Sequence, residues 1–345
     1  DASFKYAKAH VHSTIKPDFW SWKFLELIEE NNIKTWLELR NDDFYFLHWG
    51  DHQFVRDFVK ELPEDKLLAG TFFGSDGWVF TRVFTSKNPY YKNKKALEIQ
   101  KHWYLNGLWG RLQYNPDTPV ELFKNQMHNK YPEVPVEKLF EAWTKASQAM
   151  QLANEQVDGR GMPDQENVNR VLDFQWWPEL YTRHTGFISL EKTQFAGPML
   201  GSNLCSLYET ADGNCGEKVS AFTTSDKIEN LAKEALTIIE SFETQNTELQ
   251  QNIADLKAMS YLSRYNAYKN RAAIFLRQGK KLEAKENIGI AYCYWREYTD
   301  LMDSLYIAVD TQRNWNFGDS DWHDMDDEAL QDYLYLGGEG EPDCL

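Results

Sequence analysis

The sequence predicts an α/β segment over residues 1–115 followed by an α-helical domain over residues 116–345, and three observations carry that reading. Two short apolar runs, Thr35-Trp-Leu-Glu-Leu-Arg-Asn-Asp-Asp43 and Leu67-Leu-Ala-Gly-Thr-Phe-Phe-Gly-Ser-Asp-Gly-Trp78, end abruptly in carboxylates, amides, glycine and aromatics. Strands that deliver side chains into a barrel active site look this way. Strand-like runs recur about every 30 residues with amphipathic helices between them, which argues for βαβ crossovers and a parallel sheet. Beyond residue 115 the apolar periodicity is helical alone, broken by a long Gly-, Pro- and Trp-rich region at 158–221.

The elements follow in order. Phe4 to His12 alternates as a strand does, with Phe4, Tyr6, Lys8, His10 and His12 on one side. Ser13 to Pro17 is a loop, and Pro17 suits the start of the helix that runs from Phe19 to Asn31. Ile33 to Arg40 is the second strand. Asp51 to Leu62 is the second helix, with Phe54, Val55, Phe58, Val59 and Leu62 at helical spacing. Lys66 to Phe73 is the third strand, and Lys94 to Tyr114 the third helix. Thr118 is placed as an N-cap with Pro119 in the first turn. Helices are then expected at Val120 to Asn129 and Val136 to Val157. Thr224-Ser225-Asp226 is read as the cap of a helix running to about Thr244, followed by helices at Glu248 to Gln278 and Leu282 to Tyr306, with Gly279 at the turn. Leu249, Ile253, Leu256, Met259 and Leu262 form an apolar stripe that reads as core. The acidic tail after Val309, with Asp319, Asp321, Asp324, Asp326, Asp327 and Glu328, lacks the order of a calcium loop and is expected to be solvated along the domain.

Composition narrows the function. The net charge of −16 excludes the basic footprint of a nucleic-acid binder. No run of about 18 apolar residues exists, so no membrane insertion is expected. The 13 Trp, 18 Tyr and 20 Phe lean toward carbohydrate, whose rings stack on flat aromatic faces, although any one ring is more often core. Cys205, Cys215, Cys293 and Cys344 match neither a disulfide framework nor a zinc pattern. A Cys205–Cys215 bridge and two unpaired thiols both stay open. No signal peptide is visible, and the opening at Asp1 rather than Met is what a processed or cut polypeptide shows.

The candidate chemistry sits at the strand ends. Glu38 lies within the second strand, Asp42 and Asp43 close it, and Asp76 closes the third. Two carboxyls facing one cavity are what glycoside hydrolysis requires, one protonating the leaving oxygen while the other activates water or attacks. The bland alternative is an acidic turn, and Gly74-Ser75-Asp76-Gly77-Trp78 tips the balance toward function. Arg40 and Arg82 have the guanidinium fork to hold a substrate carboxylate, with Asn41 beside Arg40. His10 and His12 suit hydroxyl binding or proton transfer, and a His-x-His pair without a third ligand is a weak zinc signal, so neither metal nor cofactor is expected. Trp49, Trp78, Trp176 and Trp177 are the stacking candidates.

Leu67 to Asp76, followed by Trp103-Tyr-Leu-Asn-Gly-Leu-Trp-Gly-Arg-Leu-Gln-Tyr-Asn-Pro-Asp-Thr118, resembles the last barrel strand and the helical-domain junction of xylan α-glucuronidases. The likeness covers roughly residues 34–155. Arg40 to Asp43 with His48-Trp49-Gly50-Asp51 is also similar to a broader group of secreted bacterial proteins related to those glycosidases. The resemblance implies a (β/α)8 TIM barrel with its site at the carboxyl ends of the strands. It further implies hydrolysis of uronic-acid or related glycosides in plant or algal polysaccharide-derived oligosaccharides, and a periplasmic or extracellular setting. One departure matters: where the family carries a catalytic Glu in a Gln-Glu-Tyr context, this chain has Arg40-Asn41-Asp42-Asp43. A full barrel takes about 250 residues and only about 115 precede the helical domain, so the other strands are expected elsewhere in a larger enzyme. The alternative function is a non-catalytic glycan-binding module. The long C-terminal helices offer a homodimer surface.

Overall fold

The computed structural model describes residues 2–4, 27–39, 47–62, 68–73, 86–89, 98–157, 188–198, 202–306, 322–323 and 325–344. Three strands, β1 (Ala2–Phe4), β2 (Thr35–Leu39) and β3 (Leu68–Phe73), form a parallel sheet in the order β1-β2-β3. Sequential parallel pairing is what the strand-helix alternation predicts. Thr35 pairs with both Ala2 and Leu68, and a slip beyond Thr35 brings Trp36 opposite Gly70. A side chain on Gly70 would meet the Trp36 ring, since a Cβ there would lie 2.5 Å from it. Gly70 therefore gives the indole its place across the neighbouring strand, where Trp36 stays 40% exposed. Of the first predicted strand, residues 5–12 lie outside the described set.

The first predicted helix ends where expected. Ile33 N–H donates to the Ile28 carbonyl and Asn32 N–H to that of Glu29, with Asn32 at φ 50°. This is the left-handed helix stop that Asn tolerates. Helix α1 (His52–Lys60) buries Phe54, Val55 and Phe58, and Asp51 caps it by accepting from Gln53 N–H. The expected helix Lys94 to Tyr114 is instead two, α2 (Glu98–Lys101) and α3 (Trp103–Tyr114), divided at His102. Phe58 meets Trp109 edge-on at 5.5 Å, which packs α1 on α3. Arg56 then donates to the carbonyls of Pro116 and Thr118 and ties α1 to the next turn.

Helices α4 (Val120–Lys130) and α5 (Val136–Gln156) follow. Thr118 is not the cap of α4. Pro119 holds that position with extended ψ, and the Thr118 hydroxyl donates to the Asn115 carbonyl at 2.7 Å. The described parts of the irregular region contain two short helices, α6 (Leu190–Thr193) and α7 (Leu207–Ala211). Helix α8 (Ala221–Ile239) starts four residues before the position expected from Thr224, because Ser220 is its cap. Thr224 and Ser225 are buried within it and bond back to the carbonyls of Ser220 and Ala221. Short hydroxyl side chains satisfy themselves this way inside helices, which imitates a cap signal in the sequence.

The long helices α9 (Thr247–Arg277) and α10 (Lys281–Leu305) complete the bundle, joined at Gly279 with φ 74°. Leu249, Leu256, Met259 and Leu262 are fully buried, as the stripe predicts, and Ile253 is partly so. Helix α9 packs against α5, α8 and α10, so its polar residues are buried as well as its apolar ones.

The acidic tail departs from expectation at Asp326, whereas Asp327 and Glu328 are exposed as expected and Asp319, Asp321 and Asp324 lie outside the described residues. Helix α11 (Asp326–Tyr335) lies on α10, and Asp326 and Asp332 are buried. Asp326 accepts from Trp295 Nε1 at 2.8 Å and from the Thr299 hydroxyl, and pairs with Arg296 and His323. Asp332 meets Lys269 Nζ at 2.8 Å and accepts from Leu190 N–H. Partners buried with them make these carboxylates interior groups rather than a solvated face. The cysteines also correct the expectation that they form no framework: Cys205–Cys215 and Cys293–Cys344 are both disulfides, the second fastening the segment after α11 to α10. Among the described residues no helix is long and apolar enough to cross a membrane.

Candidate functional site at the strand ends

Leu39 and Phe73 are register partners at the carboxyl ends of β2 and β3. The chain therefore leaves the sheet at two neighbouring points, through Arg40 after β2 and Gly74 after β3. These are the start points of the two motifs singled out in the sequence. Glu38 lies on β2 opposite Phe72. His10, His12, Arg40, Asn41, Asp42, Asp43, Asp76, Trp78, Arg82, Trp176 and Trp177 lie outside the described residues. Trp49 does not serve as a stacking face. It is fully buried, donates from Nε1 to the Ser147 carbonyl at 3.0 Å, and sits edge-on to Phe54. A ring with no open face offers nothing to a sugar.

The described structure instead shows how the two segments return. The first comes back at Leu47, and residues 47–50 are buried against α5. Trp143 Nε1 donates to the His48 carbonyl at 2.8 Å, and Gly50 N–H donates to the Ser147 hydroxyl at 2.9 Å. Gly50 has to be glycine, because a Cβ there would sit 2.5 Å from the Tyr104 ring. Asp51 ends the segment, and burial raises its carboxyl to about 6 against the hydrogen bonds that Gln148 and the Gln53 amide give it.

His48 is the least ordinary residue of this segment. Its φ of 51° lies in the left-handed region that few non-glycine residues occupy. Its ring meets Trp143 at 4.7 Å and His102 at 5.3 Å, both edge-on. Burial, then the neighbouring His102, holds its pKa well below 6.5, and burial does the same to His102. Both rings are neutral at neutral pH.

A chain of hydrogen bonds sets the tautomer of His48. Tyr131 O–H donates to Glu248 Oε1 at 2.9 Å, and Asn252 Nδ2 donates to Tyr131 Oη at 2.7 Å. The amide nitrogen of Asn252 is thereby identified, so its oxygen is the atom 2.9 Å from His48 Nδ1. An amide oxygen only accepts. His48 therefore carries its proton on Nδ1, and its buried Nε2 is a bare acceptor with no hydrogen-bond partner among the described residues. Lys130 closes the outer end of the chain on Glu248 at 2.7 Å.

The second segment returns at Ser86, which is 7% exposed. Its hydroxyl donates to Gln251 Oε1 at 3.2 Å, and Gln251 Nε2 donates to Tyr306 Oη at 2.9 Å. Tyr306 in turn donates to the buried Asp255. Lys87 N–H bonds the Leu305 carbonyl at 2.7 Å and holds the segment to the end of α10. Sequence reasoning missed these residues, although Glu248, Gln251, Asn252 and Asp255 stand at i, i+3, i+4 and i+7. That spacing marks a polar edge on the same helix as the apolar stripe. Among the described residues no group of His, Cys, Asp or Glu stands as a metal site.

Neither a protein-family profile nor a curated protein matches this sequence. A solved structure does. It is that of a GH138 enzyme targeting pectin rhamnogalacturonan II, which superposes with a TM-score of 0.65 at 13% identity, over 95% of this chain and 50% of that one. The two share a fold. The chain spans about half the length of that glycoside hydrolase.

Proposed function

We propose that this chain belongs to a glycoside hydrolase acting on plant or algal polysaccharide-derived oligosaccharides, with its active site at the carboxyl ends of β2 and β3. The observation that carries the reading is the register pairing of Leu39 with Phe73, which starts the two carboxylate-bearing segments side by side. The fold shared with a pectin-directed glycoside hydrolase supports the reaction class, and three parallel strands in sequential order agree with part of a (β/α)8 barrel. On this reading Asp42, Asp43 and Asp76 supply the acid and the base or nucleophile, and Arg40 and Arg82 hold a substrate carboxylate. Glu38, Asn41, His10 and His12 contact sugar hydroxyls. Uronic-acid release, as in α-glucuronidases, is the specific activity proposed. The two disulfides support an oxidising setting, periplasmic or extracellular.

The test is release of sugars from rhamnogalacturonan II and glucuronoxylan oligosaccharides, with Asp42→Asn, Asp43→Asn and Asp76→Asn beside the wild type. At least one variant is expected to lose turnover by roughly a hundredfold or more while keeping its melting temperature. Equal loss of folding and turnover in all three defeats the assignment. Binding without release by the wild type moves the function to a non-catalytic glycan-binding module.

A further inference from the structure

We propose that the first turns of α9 are a positioning element for the strand ends: Asn252, through His48, and Gln251, through Ser86, fix where the segments leaving β2 and β3 return to the fold. The proposal rests on the reading of those strand ends as the active site.

Gln251 and Asn252 are consecutive residues, 3% and 1% exposed, and each grips a different segment. Both ends of each amide are engaged. Asn252 accepts from His48 and donates to Tyr131, while Gln251 accepts from Ser86 and donates to Tyr306. Turning either amide over sets its oxygen against a tyrosine oxygen whose proton is already given to a carboxylate, Tyr131 to Glu248 and Tyr306 to Asp255, so each holds one orientation. The helix beneath them is fastened in turn, by Glu248 to Lys130 and Tyr131 and by Asp255 to Tyr306.

The backbone supplies a second observation. A non-glycine residue in the left-handed region persists only where its surroundings over-determine it, and such residues cluster where geometry serves function. His48 is held at φ 51° from two sides, by Trp143 at its carbonyl and by Asn252 at its ring. The strained residue lies directly after the segment that carries Asp42 and Asp43. Ser86 plays the matching part after the segment that carries Asp76, with Lys87 and Asn88 bonded beside it. Through His48 and Ser86 the start of α9 thus holds the points where both segments rejoin the fold.

The test uses Asn252→Ala, Ser86→Ala, Ser86→Thr and, as a control elsewhere on α9, Ser263→Ala. The first readout is hydrogen exchange by mass spectrometry, which needs no substrate. Asn252→Ala is expected to speed exchange over 47–51, and Ser86→Ala over 86–88, with α8 unchanged and Ser86→Thr close to wild type. The second readout is turnover on the oligosaccharides above. There kcat is expected to fall roughly tenfold to a hundredfold, since small misplacement of reacting groups costs about that much, with KM within about twofold. Ser86→Thr, which keeps the hydroxyl, is expected to restore turnover. Unchanged exchange at both returns overturns the proposal, as does a kcat loss no larger than that of Ser263→Ala. If the wild type releases no sugar from any substrate, the active-site reading fails and exchange alone decides the positioning role. Should Asn252→Ala not fold, the Ser86 pair carries the same decision.

Discussion

The two ends of α9 solve the same problem in opposite ways. Near its start, Gln251, Asn252 and the neutral His48 bury polar groups through uncharged hydrogen bonds that end on a carboxylate at each outer edge, Glu248 and Asp255. Near its finish, Lys269 and Asp332 bury two formal charges 2.8 Å apart, with Tyr265 and the Ile188 carbonyl completing the ammonium. Burial pulls the Lys269 pKa down while Asp332 holds it up. An amide that loses a neighbour keeps its other bond. A charge that loses its counter-charge keeps nothing of comparable worth.

The difference sets an order of sensitivity. Asp332→Ala strands an ammonium in the interior and is expected to cost about 3–5 kcal/mol by chemical denaturation, whereas Asn252→Ala is expected to cost about 1–3 kcal/mol. A larger loss at Asn252 breaks the contrast. A sharper form replaces both partners at the charged end: Lys269→Met with Asp332→Leu is expected to regain most of the stability lost by Asp332→Ala, because apolar groups of similar volume often match a buried ion pair.

Acid separates the ends more gently. His48 and His102 have pKa values well below 6.5, and His52 is lowered to about 4, chiefly by burial. Unfolding lets each ring take a proton that the folded state refuses, so stability falls as pH drops below about 6.5. Asp51 works the other way. Its carboxyl, raised to about 6, stabilises the folded state most at low pH and loses that contribution as pH rises through about 6. Three histidines outweigh Asp51 and Glu155, whose carboxyl burial also raises, so the net expectation is a melting temperature that declines from pH 6.5 toward 4.5. His102→Asn is expected to reduce that decline, and a flat profile in the wild type contradicts it.

Much of the fold was legible because its signals are local. β2 and β3 begin within two residues of their expected starts, since apolar runs bounded by turns suffice to mark a strand. Helices α9 and α10 match because their periodicity is long. What stayed hidden depends on partners distant in sequence. Nothing near Asp332 announces Lys269, and nothing near His48 announces Asn252, 204 positions away. Asp326 reads as solvated because charge is ordinarily a surface property, and only the cations paired with it and with Asp332 make their burial tolerable. Thr224 passed for a cap because a hydroxyl bonding its own helix and one capping it read alike. At the site, the motifs after β2 and β3 were visible, but the helix that receives their far ends was not.

Trp36 has one more consequence, and it is optical. An indole that rests on Gly70 with two-fifths of its surface open emits at longer wavelength than the enclosed Trp49, Trp143 and Trp295, and it meets dissolved quenchers that they do not. Subtracting the spectrum of Trp36→Phe from that of the wild type isolates its light. The middle strand of the sheet thus carries its own lamp, and whatever comes to lie across that face, a further strand, a glycan or a second subunit, will shift its colour.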